Sequence, residues 1–133
     1  MSAENSHIQP GHHTLTPYLY GKIELLDFVR NVFGAEITHN PEPPDAEGRF
    51  HSEARIGDSM LLIGNGYYSD KTMAAATWIY VKDVDATYAA AIRAGATALR
   101  PPADQTWGDR VGGVKDNSGN TWWIATHKGR SAG

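Results

Sequence analysis

The sequence predicts an α+β fold that consists of two copies of one strand-helix-strand-strand-strand unit. When the chain of 133 residues is shifted by 61 positions, residues 16–22 fall on residues 77–83, and each stretch leads into a helical pattern. The two helical patterns also end in step, at Phe33-Gly34-Ala35 and at Ala94-Gly95-Ala96. A unit of this size buries too little apolar surface alone, so the two units must pack on each other or on a second chain.

The domain boundaries follow from the repeat. We expect a single domain over 14–133, with modules at about 14–64 and 77–127, a hinge at 65–76 and a flexible N-terminal tail at 1–13. A functional site is then expected where two modules face each other.

The first module begins with a stretch over 14–20 that alternates and carries Tyr18 and Tyr20, which predicts a strand. Apolar residues recur at intervals of three and four over 22–33, which predicts an amphipathic helix that ends at Gly34 as a left-handed cap. A strand over 35–39 and a polar loop over 40–45 follow. Strands over 49–56 and 59–64 are predicted to form a hairpin that turns at Gly57-Asp58.

The second module repeats this order. A strand over 77–82 leads to Asp83, which is suited to cap a helix over 84–94 that ends at Gly95. Strands are predicted near 97–100, 110–115 and 120–126, and the last two are joined by a turn over 116–120.

Composition favours a folded domain and excludes several classes of protein. Hydrophobic residues make up 41% of the chain and charged residues 20%, which is enough apolar content for a core. The net charge of -3, without a run of Lys or Arg, predicts no nucleic-acid partner. The absence of cysteine excludes disulfides, thiolate metal sites and a cysteine nucleophile. No apolar stretch is long enough to span a membrane and residues 1–11 do not resemble a signal peptide, so we expect no membrane partner and a cytoplasmic location.

Side-chain alternation along the strands predicts which residues face away from the helices. In the hairpin, a two-residue turn pairs Arg55 with Met60, Glu53 with Leu62 and His51 with Gly64, and it directs His51 and Glu53 to that outer face. The other residues expected on the outer face are Ala76, Trp78 and Tyr80, their counterparts Leu15, Pro17 and Leu19, and Thr121, Trp123, Ala125 and His127. By the same alternation Trp122 is expected in the core.

Several short runs resemble one known family. Residues 16–19, Asp27-Phe28 and Phe33-Gly34-Ala35-Glu36 resemble the first half of vicinal oxygen chelate proteins, the superfamily of glyoxalase I, bleomycin-resistance proteins and extradiol dioxygenases. Asp83-Val84-Asp85-Ala86, Trp107-Gly108-Asp109-Arg110 and residues 116–123 resemble its glyoxalase-like, single-chain branch. The resemblance covers about 14–127 and implies two βαβββ modules that form a cupped mixed β-sheet around a cavity, with the helices on the convex side, usually in a homodimer. It implies no single reaction, because this fold carries lyases, isomerases, dioxygenases and binding proteins.

The resemblance also implies where a metal ion would bind. Enzymes of the family hold a divalent ion through His, Glu or Gln at four positions, which fall at about Leu15, Leu62, Ala76 and Trp123 in this chain. None of these side chains is a metal ligand, and a one-residue change of register gives Thr16 and Thr77, which are no better. The sequence therefore predicts that the family's metal site is absent and that no cofactor is bound.

The histidines leave one alternative open. His51, Glu53 and His127 are candidates for a relocated metal site, although a satisfied or solvent-facing side chain is the more common interpretation of each. His51 and Glu53, two apart on one strand face, are also weak candidates for an acid–base pair. His7, His12 and His13 are expected to be exposed in or beside the N-terminal tail, and Asp109 is interpreted as a residue that fixes its loop.

The outer face of the sheets, which is the concave face of the predicted cup, combines aromatic and polar side chains. This combination is typical of a small-molecule pocket. The candidate ligand-binding residues are Trp78, Tyr80, Trp107, Arg110, Trp123 and Arg49, and Tyr67 and Tyr68 are candidates for the pocket rim or for hinge packing. The alternative is that the aromatic residues pack together or across a dimer interface and leave no cavity.

The sequence is compatible with two functions. The first is a metal-free protein that sequesters a planar or aromatic small molecule, such as an antibiotic or a metabolite. The second is a glyoxalase-type lyase or isomerase, or a dioxygenase, with a displaced metal or with His51 and Glu53 as the acid–base pair. The expected partners are a small-molecule ligand and a second copy of the chain.

Overall fold

The computed structural model describes residues 7–39, 45–46, 48–65 and 73–129. The elements in chain order are β1 (Tyr18–Tyr20), α1 (Glu24–Phe33), β2 (Glu36–His39), β3 (Phe50–Ile56), β4 (Ser59–Asn65), β5 (Ala76–Tyr80), α2 (Val84–Arg93), β6 (Thr97–Asp104), β7 (Asp109–Lys115) and β8 (Thr121–His127). The predicted α+β class and the two βαβββ modules are confirmed. Tyr67, Tyr68 and most of the predicted hinge lie outside the described residues. Neither helix in this part of the chain has the length and apolar character needed to cross a membrane.

Each module forms one four-stranded mixed sheet. The strand orders are β1-β4-β3-β2 and β5-β8-β7-β6, and in each sheet the first strand runs parallel to the fourth while the other pairings are antiparallel. The predicted register of the first hairpin is confirmed, with Glu53 opposite Leu62 and His51 opposite Gly64. The turn fixes this register because Gly57, at φ 59°, allows a two-residue connection.

The apolar core lies between the helices and one face of each sheet, here called the helix face. Trp122 of β8 is only 1% exposed, and its ring lies 4.6 Å from that of Phe33 and 6.3 Å from that of Phe28, both on α1. A large side chain of the second module is therefore covered by the helix of the first. The helix ends at Gly34, whose φ of 70° confirms the predicted left-handed cap.

The turn between β7 and β8 joins the two modules through hydrogen bonds. Asp116 is buried and accepts from the backbone N of Ser118 and Asn120 and from Trp122 Nε1. The side chain of Asn120 donates to the carbonyl of Tyr20 in the first module and accepts from the backbone N of Ala75. The turn predicted over 116–120 thus has an additional role as a rigid joint.

Strand β1 differs from the prediction in length and in orientation. It begins at Tyr18 because Pro17 has no N–H to donate to a ladder, and Leu15 lies exposed before it. Leu19 pairs with Ile63 and both are buried, so the prediction that Leu19 faces away from the helices is wrong. The first strands are offset by 60 residues rather than 61, since Tyr18 lies opposite Leu62 and Trp78 opposite Trp123. A slip of one residue exchanges the two faces of a strand.

Several other boundaries also moved, among them those of α1 and β6. Helix α1 begins at Glu24 instead of residue 22, without a side-chain cap. Strand β6 continues to Asp104 through Pro101 and Pro102, beyond the predicted end at residue 100. Prolines are tolerated there because β6 is an edge strand with an irregular register between Arg100 and Ala103, so their missing N–H groups break no continuous ladder.

Candidate functional site

The face of each sheet that points away from the helices is here called the open face, and in the second sheet it is aromatic. Trp78 and Tyr80 of β5 are 44% and 61% exposed, and their ring centroids lie 6.4 Å apart. Trp123 of β8 lies directly opposite Trp78. Ile79, between the two exposed residues of β5, packs against the core instead. The orientation of Trp78, Tyr80 and Trp123 therefore agrees with the predicted alternation.

Glycine at position 113 lets Trp123 lie flat on this face. Gly113 is opposite Trp123 in the β7–β8 ladder, and a Cβ at Gly113 would overlap the six-membered ring of the indole. The ring therefore occupies the space that a side chain on β7 would take. This close approach extends the aromatic surface from β5 across β8 to β7.

At one end of this face, three side chains converge on the carboxylate of Asp109, which is 2% exposed. His127 Nδ1 donates to Oδ1 at 2.7 Å, and Oδ2 accepts from Tyr80 Oη and from Trp107 Nε1, each at 3.0 Å. We call these four residues the Asp109 cluster. Sequence reasoning had interpreted Asp109 as a loop residue only.

Neighbouring strands and one turn bring the four residues of the Asp109 cluster together. Asp109 and His127 face each other in the β7–β8 ladder, and Tyr80 pairs with the small, buried Ala125 on the other side of β8, so its hydroxyl reaches across β8. Trp107 is held by the turn before β7, where Gly108 has a φ of 103°. The backbone N of Gln105 donates to the carbonyl of Asp109 and closes this turn.

The electrostatics of the cluster favour an ionised carboxylate. The hydrogen bond from His127 is the main reason that the pKa of Asp109 is lowered, and those from Trp107 and Tyr80 add to it. The pKa of Tyr80 is raised, chiefly because its hydroxyl donates to Asp109. Since the carboxylate can only accept, the imidazole proton is assigned to Nδ1 of His127.

Arg110 lies on the opposite side of the sheet from its predicted place. Its Nε and Nη2 donate to the two carboxylate oxygens of Asp85 at 2.9 and 3.1 Å, and Nη1 donates to Asp104 at 3.3 Å. Asp85 is in the first turn of α2, so the guanidinium faces the helix. These bonds lower the pKa of Asp85 and raise that of Arg110. The prediction that Arg110 points into the concave face is wrong.

The cause is again a one-residue difference in the repeat. The shift of 61 residues places Arg49 on Arg110. In the structure Arg110 lies opposite Thr126, as Phe50 lies opposite Asn65, so Arg110 corresponds to the buried Phe50. Arg49 precedes β3, is exposed, and donates from Nε to Asp45 at 2.7 Å. The structure therefore brings neither arginine to the aromatic face.

The open face of the first sheet is partly covered by the N-terminal segment. His12 Nε2 donates to Glu53 Oε2 at 3.0 Å, and both side chains are nearly buried, so the predicted exposure of His12 is wrong. Tyr18 Oη lies 3.2 Å from His51 Nδ1. The two residues predicted as an acid–base pair thus each meet a partner from another element, because their separation along β3 is set by the strand repeat rather than by hydrogen-bond distance.

The metal positions implied by the resemblance were tested against the donor groups that the structure places there. Leu62, Ala76 and Trp123 offer no donor, and Leu15 lies exposed before β1; the corrected offset moves that position to Thr16. Within residues 7–39, 45–46, 48–65 and 73–129, no group of three or more His, Asp or Glu side chains is arranged to hold an ion. The residues present do not fit the family's divalent metal.

A groove of about 680 Å³ lies between the modules, beside the aromatic face. Its walls include Trp78 and Tyr80 of β5, Met60 of the first hairpin, and Phe33 at the end of α1. The volume is in the range of small-molecule sites. Helix-face residues such as Ile79 and Trp122 line it as well, so the groove runs along the edge of β5, where it meets Trp78 and Tyr80.

Comparison with known proteins agrees with this geometry. A family model described as the Glyoxalase/Bleomycin resistance protein/Dioxygenase superfamily matches residues 19–124. Among solved structures, TioX from Micromonospora sp. ML1 superposes with a TM-score of 0.69 at 23% identity, over 86% of this chain and 98% of that one. Lactoylglutathione lyase from Agrobacterium tumefaciens gives 0.62 at 17% identity, over 90% and 97%. At these identities the likeness shows the fold alone.

Curated relatives match over a shorter stretch. An uncharacterized protein of Mycobacterium bovis is 50% identical over 42 residues, which is 32% of this chain and 28% of that protein. An uncharacterized protein of Mycobacterium tuberculosis has the same identity over 42 residues and 25% of its length. The matched stretch thus spans about a quarter of these relatives.

Proposed function

The chain belongs to the Glyoxalase/Bleomycin resistance protein/Dioxygenase superfamily, and on that premise we propose that it binds a planar aromatic small molecule without a metal ion. The observation that carries this proposal is the exposed pair Trp78 and Tyr80, which lies beside a groove of ligand size. The corresponding role is sequestration of the ligand, such as an antibiotic or a metabolite.

The aromatic face has the physical properties that a flat ligand requires. The core is formed by other residues, so the exposed rings of Trp78 and Tyr80 are not needed for its packing. Contiguous exposed apolar side chains mark interaction surfaces, and indole and phenol rings stack on planar ligands through dispersion and quadrupole interactions. With Trp123 lying over Gly113, the aromatic surface extends from β5 across β8 to β7.

Binding is favoured over the enzymatic alternative by the polar residues. The metal positions carry no donors, and the hydrogen bonds of Glu53 to His12 and of His51 to Tyr18 give the predicted acid–base pair other partners. The proposed function therefore requires no metal, and removal of divalent ions with a chelator should leave ligand affinity unchanged.

The experiment is a tryptophan-fluorescence titration with a panel of planar two- and three-ring aromatic compounds, with and without EDTA. Trp78→Ala should weaken binding by about 1–3 kcal/mol, which is the value of stacking on one aromatic side chain. Leu99→Ala is the matched control, because Leu99 is as exposed as Trp78 but lies on β6. The proposal fails if no compound binds, if EDTA abolishes binding, or if the two variants lose affinity equally.

We also propose that the protein is a homodimer. Each sheet ends in two edge strands, β1 and β2 in one and β5 and β6 in the other, and edges of this kind are commonly covered by a partner. Light scattering at micromolar concentration should give twice the mass of the 14.5 kDa chain, and a monomer would contradict the proposal.

A further inference from the structure

The Asp109 cluster has a chemical capacity that stacking alone does not use. We propose that His127 and Asp109 form a proton-accepting anchor for an aromatic ligand that carries an acidic O–H or N–H group. This inference rests on the proposed function, because the ligand ring lies on the aromatic face, and it names the class of ligand.

His127 has one imidazole nitrogen that is free to meet a ligand. Nδ1 of His127 is occupied by Asp109 at 2.7 Å, and the side chain is 60% exposed. In the described part of the chain, Nε2 of His127 meets no hydrogen-bond partner. With the proton fixed on Nδ1, the neutral ring presents the lone pair of Nε2 to solvent on the open face.

The burial of the Asp109 carboxylate has a free-energy cost. A carboxylate that is removed from water is unfavourable unless donors satisfy it. Three donors from β5, β8 and the turn before β7 converge on Asp109, although His127 itself stays at the surface. A buried carboxylate that accepts from Nδ1 of an exposed imidazole orients the ring and places its proton on Nδ1.

Tyr80 belongs both to the Asp109 cluster and to the aromatic face. The hydroxyl of Tyr80 donates to Asp109, while its ring lies 6.4 Å from the ring of Trp78. Tyr80 therefore links the stacking surface to the cluster. Since Tyr80 and His127 both bond to Asp109, a ring that stacks on Tyr80 lies beside the cluster that contains His127.

The chemistry at that point is proton sharing. The O–H or N–H of the ligand donates to Nε2 of His127. For a sufficiently acidic ligand the proton moves: the ligand O–H or N–H bond breaks, an N–H bond forms at Nε2, and the electron pair stays on the ligand as an anion. The imidazolium is then stabilised by the Asp109 carboxylate.

The experiment compares 2-naphthol with its methyl ether, 2-methoxynaphthalene, by calorimetric titration of the full chain. We expect 2-naphthol to bind about tenfold more tightly, as for one added hydrogen bond. His127→Gln should abolish the difference, and Asp109→Asn should reduce it. His13→Gln is the matched control, since His13 is an exposed histidine outside the cluster. Trp78→Ala should weaken both compounds alike.

The outcomes separate this inference from the proposed function. Equal affinity of the two compounds, with Trp78→Ala weakening both, overturns the anchor and leaves the aromatic site intact. If neither compound binds, both proposals fail. Because Asp109→Asn could disturb folding, nitrogen-15 NMR of the unliganded wild-type protein is a second measurement. The anchor requires the Nδ1–H tautomer at His127, and an Nε2–H tautomer would overturn it.

Discussion

Replacement of Trp122 by alanine is expected to lower the free energy of unfolding by about 3–5 kcal/mol, the usual cost of removing a large buried aromatic side chain. Trp122 is buried against Phe28 and Phe33 of α1, and its indole N–H donates to Asp116 at 2.8 Å. Truncation leaves a cavity between the modules and removes a hydrogen bond. Urea denaturation followed by circular dichroism measures the loss.

The neighbouring tryptophan is the matched control. Trp123 differs by one position in sequence but lies on the open face, partly exposed. Trp123→Ala should therefore cost at most about 1.5 kcal/mol, as expected for a side chain outside the core. Equal destabilisation of the two variants would show that Trp123 is packed as tightly as Trp122, which would contradict its assignment to a ligand-binding surface.

The parts of the fold that could be predicted from the sequence are those fixed by local rules. The pattern of apolar residues specifies α1, Gly34 ends it, and a two-residue turn at Gly57-Asp58 sets the register of β3 against β4. Each of these depends on residues close together in the chain. Tertiary contacts therefore had little opportunity to change them.

The errors arose where a long-range equivalence was assumed. The repeat is offset by 61 residues in β4 and β8 but by 60 in β1 and β5, and in β3 and β7. A one-residue error leaves the element type unchanged but moves each side chain to the other face. This is why Leu19 and Arg110 were placed on the wrong side while the strands themselves were correct. The orientation of Leu19 is fixed only by its pairing with Ile63, and that of Arg110 only by its pairing with Thr126.

The Asp109 cluster shows a different limit. Its members come from β5, β7, β8 and the turn before β7, and no sequence motif joins Tyr80 and His127 to Trp107 and Asp109. One signal was available, since the turn predicted over 116–120 places Asp109 opposite His127 when the ladder is counted outward. The contribution of Trp107 could not be counted in this way, because it depends on the backbone of the turn at Gly108.

The joint between the modules is expected to depend on Asp116. Asp116→Ala should lower the free energy of unfolding by about 3 kcal/mol, because it leaves buried donors without an acceptor at about 1–3 kcal/mol each. The donors affected are the backbone N of Asn120 at 3.0 Å and Trp122 Nε1 at 2.8 Å, both in buried residues. Thermal and urea unfolding measure the effect.

A matched control exists in the first module, where Asp58 occupies the corresponding hairpin turn but is exposed, and among the described residues its side chain accepts only from the hydroxyl of Ser59. Asp58→Ala should change stability by no more than about 0.5 kcal/mol, as for most surface substitutions. Asp116→Asn, which keeps one acceptor oxygen, should fall between the two. If Asp116→Ala proved as mild as Asp58→Ala, the Asp116 side chain would contribute little to the joint, which would contradict its proposed role.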